Sequence, residues 1–269
     1  MARAELTDEG LERLNSPASV CLVTVMKSGT HWARYLLANY LKIMVRGSDC
    51  SRATYEELQS VFSPNDRRLC LRTKTEPVRS PLYPVFGYQD VMWQHVSEDL
   101  SAYRGRIVFL FRNPLDYLIS RYHYDKVLWQ SEGRDVSSPA ATMDWSLRWY
   151  AESLSFMLKL VRQKRDAVVL TYENLKQAPQ VSLEIMLRSL GIPVRRDALQ
   201  LAVERSDARK VAAEEVERGR AIVGPTTSGY FVRDSGVGQW KNHLTDEDLR
   251  RAEKILGGYG LRLAHFQIE

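Results

Sequence analysis

The chain has 269 residues, 44% of them hydrophobic, enough for one sizeable α/β core. Its formal charge of +5 suits an anionic ligand, but the basic residues are dispersed among acids, which argues against a nucleic-acid surface. The first residues are charged and lack an apolar signal core, and the most apolar predicted helix carries Arg34 and Lys42, so no transmembrane segment is expected.

The first predicted strand, 20–25, is a β-branched run that stops at Met26-Lys27-Ser28-Gly29, and an amphipathic helix follows over 30–45. A strand, a tight turn and a helix start with a cation in the turn form an anion site. The first-turn amides and the positive end of the dipole attract negative charge. Lys27 adds a formal charge, and Gly29 lets the backbone approach a ligand. A phosphate-like group is expected here. The nucleoside-triphosphate loop needs a Gly-Lys pair, and none occurs in the chain, so a P-loop kinase is the weaker enzyme alternative.

Leu69–Thr73 reads as a second strand, followed by Lys74-Thr75-Glu76. A mixed region, 79–104, carries Tyr83, Phe86, Tyr88 and Trp93, aromatic rings that suit an acceptor as well as they suit loop packing. The third strand, 107–111, ends at Arg112-Asn113-Pro114, and Pro114 fits the first turn of a helix over 114–126. Arg112 therefore sits at the ligand edge of an open α/β sheet, with Ser120 two turns on and able to reach an oxyanion held by its guanidinium. Helix 144–164 presents Trp145, Trp149, Leu154, Met157, Leu158 and Val161 as a core stripe. Strand 167–171, short helices between 172 and 218, a long loop 219–242 and helix 246–256 complete the chain. Strands alternating with helices predict an α/β fold in one domain, 1–269, a P-loop-like parallel sheet flanked by helices on both faces.

Four segments in this order resemble those of sulfotransferases. Lys27-Ser28-Gly29-Thr30-His31-Trp32 is similar to the Pro-Lys-Ser-Gly-Thr-Thr-Trp loop, with Met26 for proline and His31 for the second threonine. In that family the loop holds the 5′-phosphosulfate end of 3′-phosphoadenosine 5′-phosphosulfate (PAPS). Arg112 to Tyr122 resembles the 3′-phosphate segment Arg-Asn-Pro-x-Asp-x-x-x-Ser-x-Tyr, which implies Arg112 and Ser120 as ligands and a structural Asp116. Tyr172-Glu173-Asn174-Leu175 resembles Tyr-Glu-Asp-Leu and implies Tyr172 beside the adenine, with Trp32 stacked on it or packed next to it. Residues 230–245 resemble the segment that closes over the 3′-phosphate, implying Arg233 and the loop amides through Gly236 and Gly238. Asp234 replaces a lysine there and is expected to point away, toward Lys241 or Lys210.

The resemblance implies transfer of a sulfuryl group to a hydroxyl, less readily an amine, of a small molecule, glycan or lipid, with PAPS as co-substrate and no metal. Lys27 is implied at the leaving oxygen, with Thr30 and His31 beside it. In cytosolic members the base is the histidine of Lys-Thr-His, just after a second strand. Here Glu76 stands in that string, as glutamate does in several Golgi-type enzymes, and a carboxylate with an ordinary pKa of about 4.3 is ready to accept a proton. His31 is the rival base. His95, His123, His243 and His265 are given packed, hydrogen-bonded roles, and no Cys/His spacing suggests zinc. Cys21 and Cys70 in predicted strands, with Cys50 making an odd count, imply free thiols in a reducing, cytoplasmic compartment. The non-catalytic alternative is a nucleotide-binding scaffold derived from the same family.

Overall fold

A computed structural model describes residues 20–54, 57–58, 91–96, 100, 103–130, 136–164, 167–217 and 236–266. They belong to two compact units, Met1–Phe111 with Phe156–Ser206 and Arg112–Ser155 with Asp207–Glu269. The strands are β1 (Val20–Thr24), β2 (Val91–His95), β3 (Arg106–Phe111) and β4 (Val168–Thr171). The helices are α1 (Thr30–Arg46), α2 (Pro114–Gln130), α3 (Pro139–Gln163), α4 (Tyr172–Gln177), α5 (Pro179–Ser189), α6 (Arg196–Arg205), α7 (Ala208–Glu217) and α8 (Asp246–Gly257). None of the described helices is long and apolar enough to cross a membrane.

The first unit holds the sheet, all parallel, in the order β2-β1-β3-β4. Strands covered on both faces need near-continuous apolar runs. Val20 to Thr24 are buried without alternation, and Ile107 to Leu110 likewise. Helix α1 is buried over most of its circumference, with Tyr35, Leu36, Tyr40 and Leu41 fully covered. The Tyr40 hydroxyl ties it to the segment before α6, donating to the Pro193 carbonyl at 2.6 Å and accepting from Arg195 N at 2.8 Å.

From β1 the chain passes to β2 on one side, then to β3 on the other. Connections therefore diverge at the C-terminal ends of β1 and β3, the place where open α/β sheets leave a crevice for ligands. Register sets Thr24 level with His95 and with Leu110 at that edge.

In the second unit, Asn113 starts α2 by accepting Leu115 N–H at 2.9 Å on its side-chain oxygen. Tyr117 packs on α3, its ring 4.9 Å from Tyr150 and stacked on Trp149. Thr245 opens α8 with a capping box: its hydroxyl accepts from Asp248 N, and the Asp248 carboxylate accepts from Thr245 N.

The expected strands at 20–25, 107–111 and 167–171 are present within a residue of their ends, as is helix 30–45. Helix α3 begins at Pro139 rather than 144 because Ser138 accepts Ala141 N–H at 3.1 Å and a proline suits the first turn. The expected strand at 69–73 lies outside the described residues. The strand seated beside β1 is Val91–His95, inside the region read as mixed, so Trp93 belongs to the sheet rather than to a loop.

Candidate active site

The loop between β1 and α1 carries two residues in left-handed backbone, Lys27 at φ 64° and Gly29 at φ 87°. Lysine in that region costs about 1–2 kcal/mol, a strain that marks functional loops more often than connecting ones. The turn closes where Ser28 N donates to the Val25 carbonyl at 3.2 Å. No side chain caps the start of α1 at Gly29, so its first amides are presented by backbone alone. The Ser28 hydroxyl is fully buried and has no hydrogen-bond partner among the described residues. A buried hydroxyl without a partner costs about 1–3 kcal/mol, and an oxyanion cradled by the loop would satisfy it. Thr30, at the first position of α1, bonds hydroxyl to hydroxyl with Thr24 at 2.9 Å.

Gly29 is required for a second reason. A Cβ there would lie 2.5 Å from the Tyr172 ring. Tyr172 follows β4 directly, where Thr171 accepts Asn174 N–H at 3.0 Å, ending the strand and capping α4. Its ring meets Trp32 edge-on at 6.0 Å. Trp32 is oriented by its indole N–H, which donates to the Ser206 carbonyl at 2.8 Å. Ser206, fully buried, is held by Asn39 at 3.0 Å and by Ala202. Lys176 lies 5.3 Å from the Trp32 ring. The loop residues, Trp32 and Tyr172 therefore converge. Ser206 and Asn39 were not foreseen, since a serine at a helix end reads as a terminator.

His31 is held neutral. Burial of the ring lowers its pKa well below the usual 6.5, and the Arg34 and Lys27 charges push the same way. The stability consequence has a definite sign. Above 6.5 the ring is neutral both folded and unfolded. Below it the unfolded chain takes up the proton first, so acid destabilises the fold until the lower folded pKa is passed. Between about pH 7.5 and about 5.5, urea melts should show a larger loss for the wild type than for His31→Gln.

His95 ends β2 with Nδ1 3.0 Å from the Thr24 hydroxyl. The hydrogen-bonded role expected of it is present, but its position at the sheet edge beside β1 was not anticipated. A signal existed: the apolar run Val91-Met92-Trp93 leads into a histidine 17 residues before Arg112.

In the second unit Arg112 is buried, and its Nη2 donates to the Gly236 carbonyl at 2.7 Å. Asp116, almost fully buried, accepts from Gly238 N at 2.6 Å and Trp240 N at 3.2 Å and lies 4.0 Å from Arg112. The structural role expected of Asp116 is thus specific: it fixes the 236–240 turn to the start of α2. Ser120 sits half-buried on the same helix. Arg112, Asp116 and Gly236 come together, while Glu76, Arg233 and Asp234 lie outside the described residues. Among the described residues, no group of three or more His, Cys, Asp or Glu could hold a metal ion.

The family model for the sulfotransferase domain matches residues 17–262. Over 244 residues the chain is 24% identical to sulfotransferase 2B1 of Rattus norvegicus, covering 84% of this chain and 66% of that protein. With 3-beta-hydroxysteroid sulfotransferase of Cavia porcellus it shares 24% over 256 residues, covering 90% and 84% respectively. Retinol dehydratase, solved in complex with androsterone and the inactive cofactor PAP, shares the fold with a TM-score of 0.64 at 14% identity, over 93% of this chain and 85% of that one.

Proposed function

We propose that the chain, which belongs to the sulfotransferase family, transfers a sulfuryl group from PAPS to the hydroxyl of a small apolar molecule, acting as a single domain over 1–269. The carrying observation is the strained Lys27–Gly29 loop with its buried, unpartnered Ser28 hydroxyl at the sheet's switch point. The fold neighbour solved with PAP supports the nucleotide, and the guinea-pig relative's name supports a hydroxysteroid-like alcohol as acceptor. The free Cys50 thiol is in keeping with a reducing, cytoplasmic setting.

PAPS supplies the sulfuryl group on a phosphate that gains charge as it leaves. Lys27, Ser28, Thr30 and the first amides of α1 hold and stabilise that phosphate. Trp32 and Tyr172 flank the adenine, and Arg112, Ser120, Arg233 and Gly236 take the 3′-phosphate. The base is assigned to His95. Cytosolic sulfotransferases keep theirs just after a second strand, and β2, paired beside β1, ends on this histidine. Glu76 is the carboxylate alternative.

Calorimetry with 3′-phosphoadenosine 5′-phosphate (PAP) and transfer of labelled sulfate to a panel of steroids, phenols, sugars and lipids test the reading. Binding of PAP and labelling of at least one alcohol are expected. No PAP binding, together with magnesium-dependent turnover of ATP, would replace it with a kinase.

A further inference from the structure

The hydrogen bonds around Thr24 have a direction. His95 Nδ1 lies 3.3 Å from the Thr24 carbonyl oxygen and 3.0 Å from the Thr24 hydroxyl. A carbonyl only accepts, so the tautomer that satisfies both contacts has the hydrogen on Nδ1 and leaves Nε2 as the basic nitrogen of the ring. In that tautomer the Thr24 hydroxyl accepts from His95 and has one hydrogen left to give, with the Thr30 hydroxyl 2.9 Å away to take it. Thr30, at the first position of α1, is then left with its own hydrogen to give. Thr24 is fully buried and Thr30 is 4% exposed, so bulk water does not compete for either link. With Nδ1–H and Thr24 as donor to Thr30, the chain runs one way, from imidazole through two hydroxyls to the phosphate loop.

We infer that Thr24 is a positioning residue for the transfer: its carbonyl fixes the tautomer of His95, and its hydroxyl couples proton uptake at Nε2 to the hydrogen bond that Thr30 gives the leaving phosphate. This rests on the assignments of base and loop made above. As the acceptor oxygen bonds to sulfur, its proton goes to Nε2, and the electron pair of the broken S–O bond goes to the phosphate oxygen. His95, now an imidazolium, donates more strongly from Nδ1. Thr24 and then Thr30 are polarised in turn, and Thr30 donates more strongly where negative charge is growing. The proton itself stays on His95 until product leaves. A base and a leaving-group donor on different elements thereby respond to the same event.

Thr24→Val keeps the side chain's shape and removes the hydroxyl, whereas Thr24→Ser keeps the hydroxyl. Nitrogen NMR of histidine-labelled full-length protein, at mildly alkaline pH with PAP present, reads the His95 tautomer. The wild type, Thr24→Ser and Thr24→Val are all expected to show hydrogen on Nδ1, because the Thr24 backbone carbonyl that accepts it survives both substitutions. Transfer by Thr24→Val should fall about 10- to 100-fold, with PAP affinity held within about threefold. A wild-type ring protonated on Nε2, or a Thr24→Val protein with an unchanged transfer rate, would overturn the inference. An Nδ1–H signature in the wild type, with no transfer to any acceptor, would strike the functional reading and leave the hydrogen-bond chain standing.

Discussion

Lys27→Met is expected to lower the rate of sulfuryl transfer about 10²- to 10³-fold while weakening PAP binding by no more than about tenfold. The asymmetry follows from where the charge is. The bound nucleotide is already anionic, and its phosphate is held by the backbone at the start of α1, an interaction the substitution leaves in place. What methionine removes is a fixed cation at the oxygen whose charge grows only during transfer, and interactions that strengthen at that moment act on kcat. Methionine at φ 64° is no more strained than lysine, so the turn is not the variable. Removing the cation also takes away one of the charges that keep His31 neutral, so the acid destabilisation at His31 should shrink in the same variant. Single-turnover transfer from labelled PAPS, read beside calorimetry with PAP, separates the two effects. An equal loss in affinity with unchanged chemistry would make Lys27 a binding residue only.

What the sequence disclosed follows from where local chemistry and tertiary structure agree. The turn at Lys27–Gly29 was legible because a cation, a glycine and a change of hydrophobic period coincide within a few residues. Arg112 and Pro114 were legible for a like reason, a strand end followed by a proline suited to a first helical turn. Strand β2 was not. Five residues, Val91 to His95, with two polar side chains at the end carry too little period to stand out, and only pairing with β1 gives them a place. Ser206 was hidden because its contribution is a carbonyl aimed at Trp32, 174 residues away in the chain, and no side-chain pattern reports the direction of a carbonyl. The role of Asp116 was half visible: a carboxylate in the first turn of α2 announces a cap, but the amides it accepts belong to Gly238 and Trp240.

His95→Asn is expected to retain PAP binding and to lose transfer by about 10²- to 10⁴-fold. Asparagine is informative because its amide N–H can replace Nδ1–H as the donor to Thr24, so the hydrogen bonds at the end of β2 survive while the basic nitrogen is gone. Glu76→Gln, made alongside, should change transfer by less than about threefold, since a spectator carboxylate has no proton to take. His31→Gln supplies the third arm. Its ring stays neutral, as a base must be, but burial and the Arg34 and Lys27 charges that keep it so also make it a poor proton acceptor, and base catalysis weakens as basicity falls. If Glu76→Gln is the variant that stops transfer and His95→Asn is not, the base is the carboxylate and the end of β2 serves only to hold Thr24.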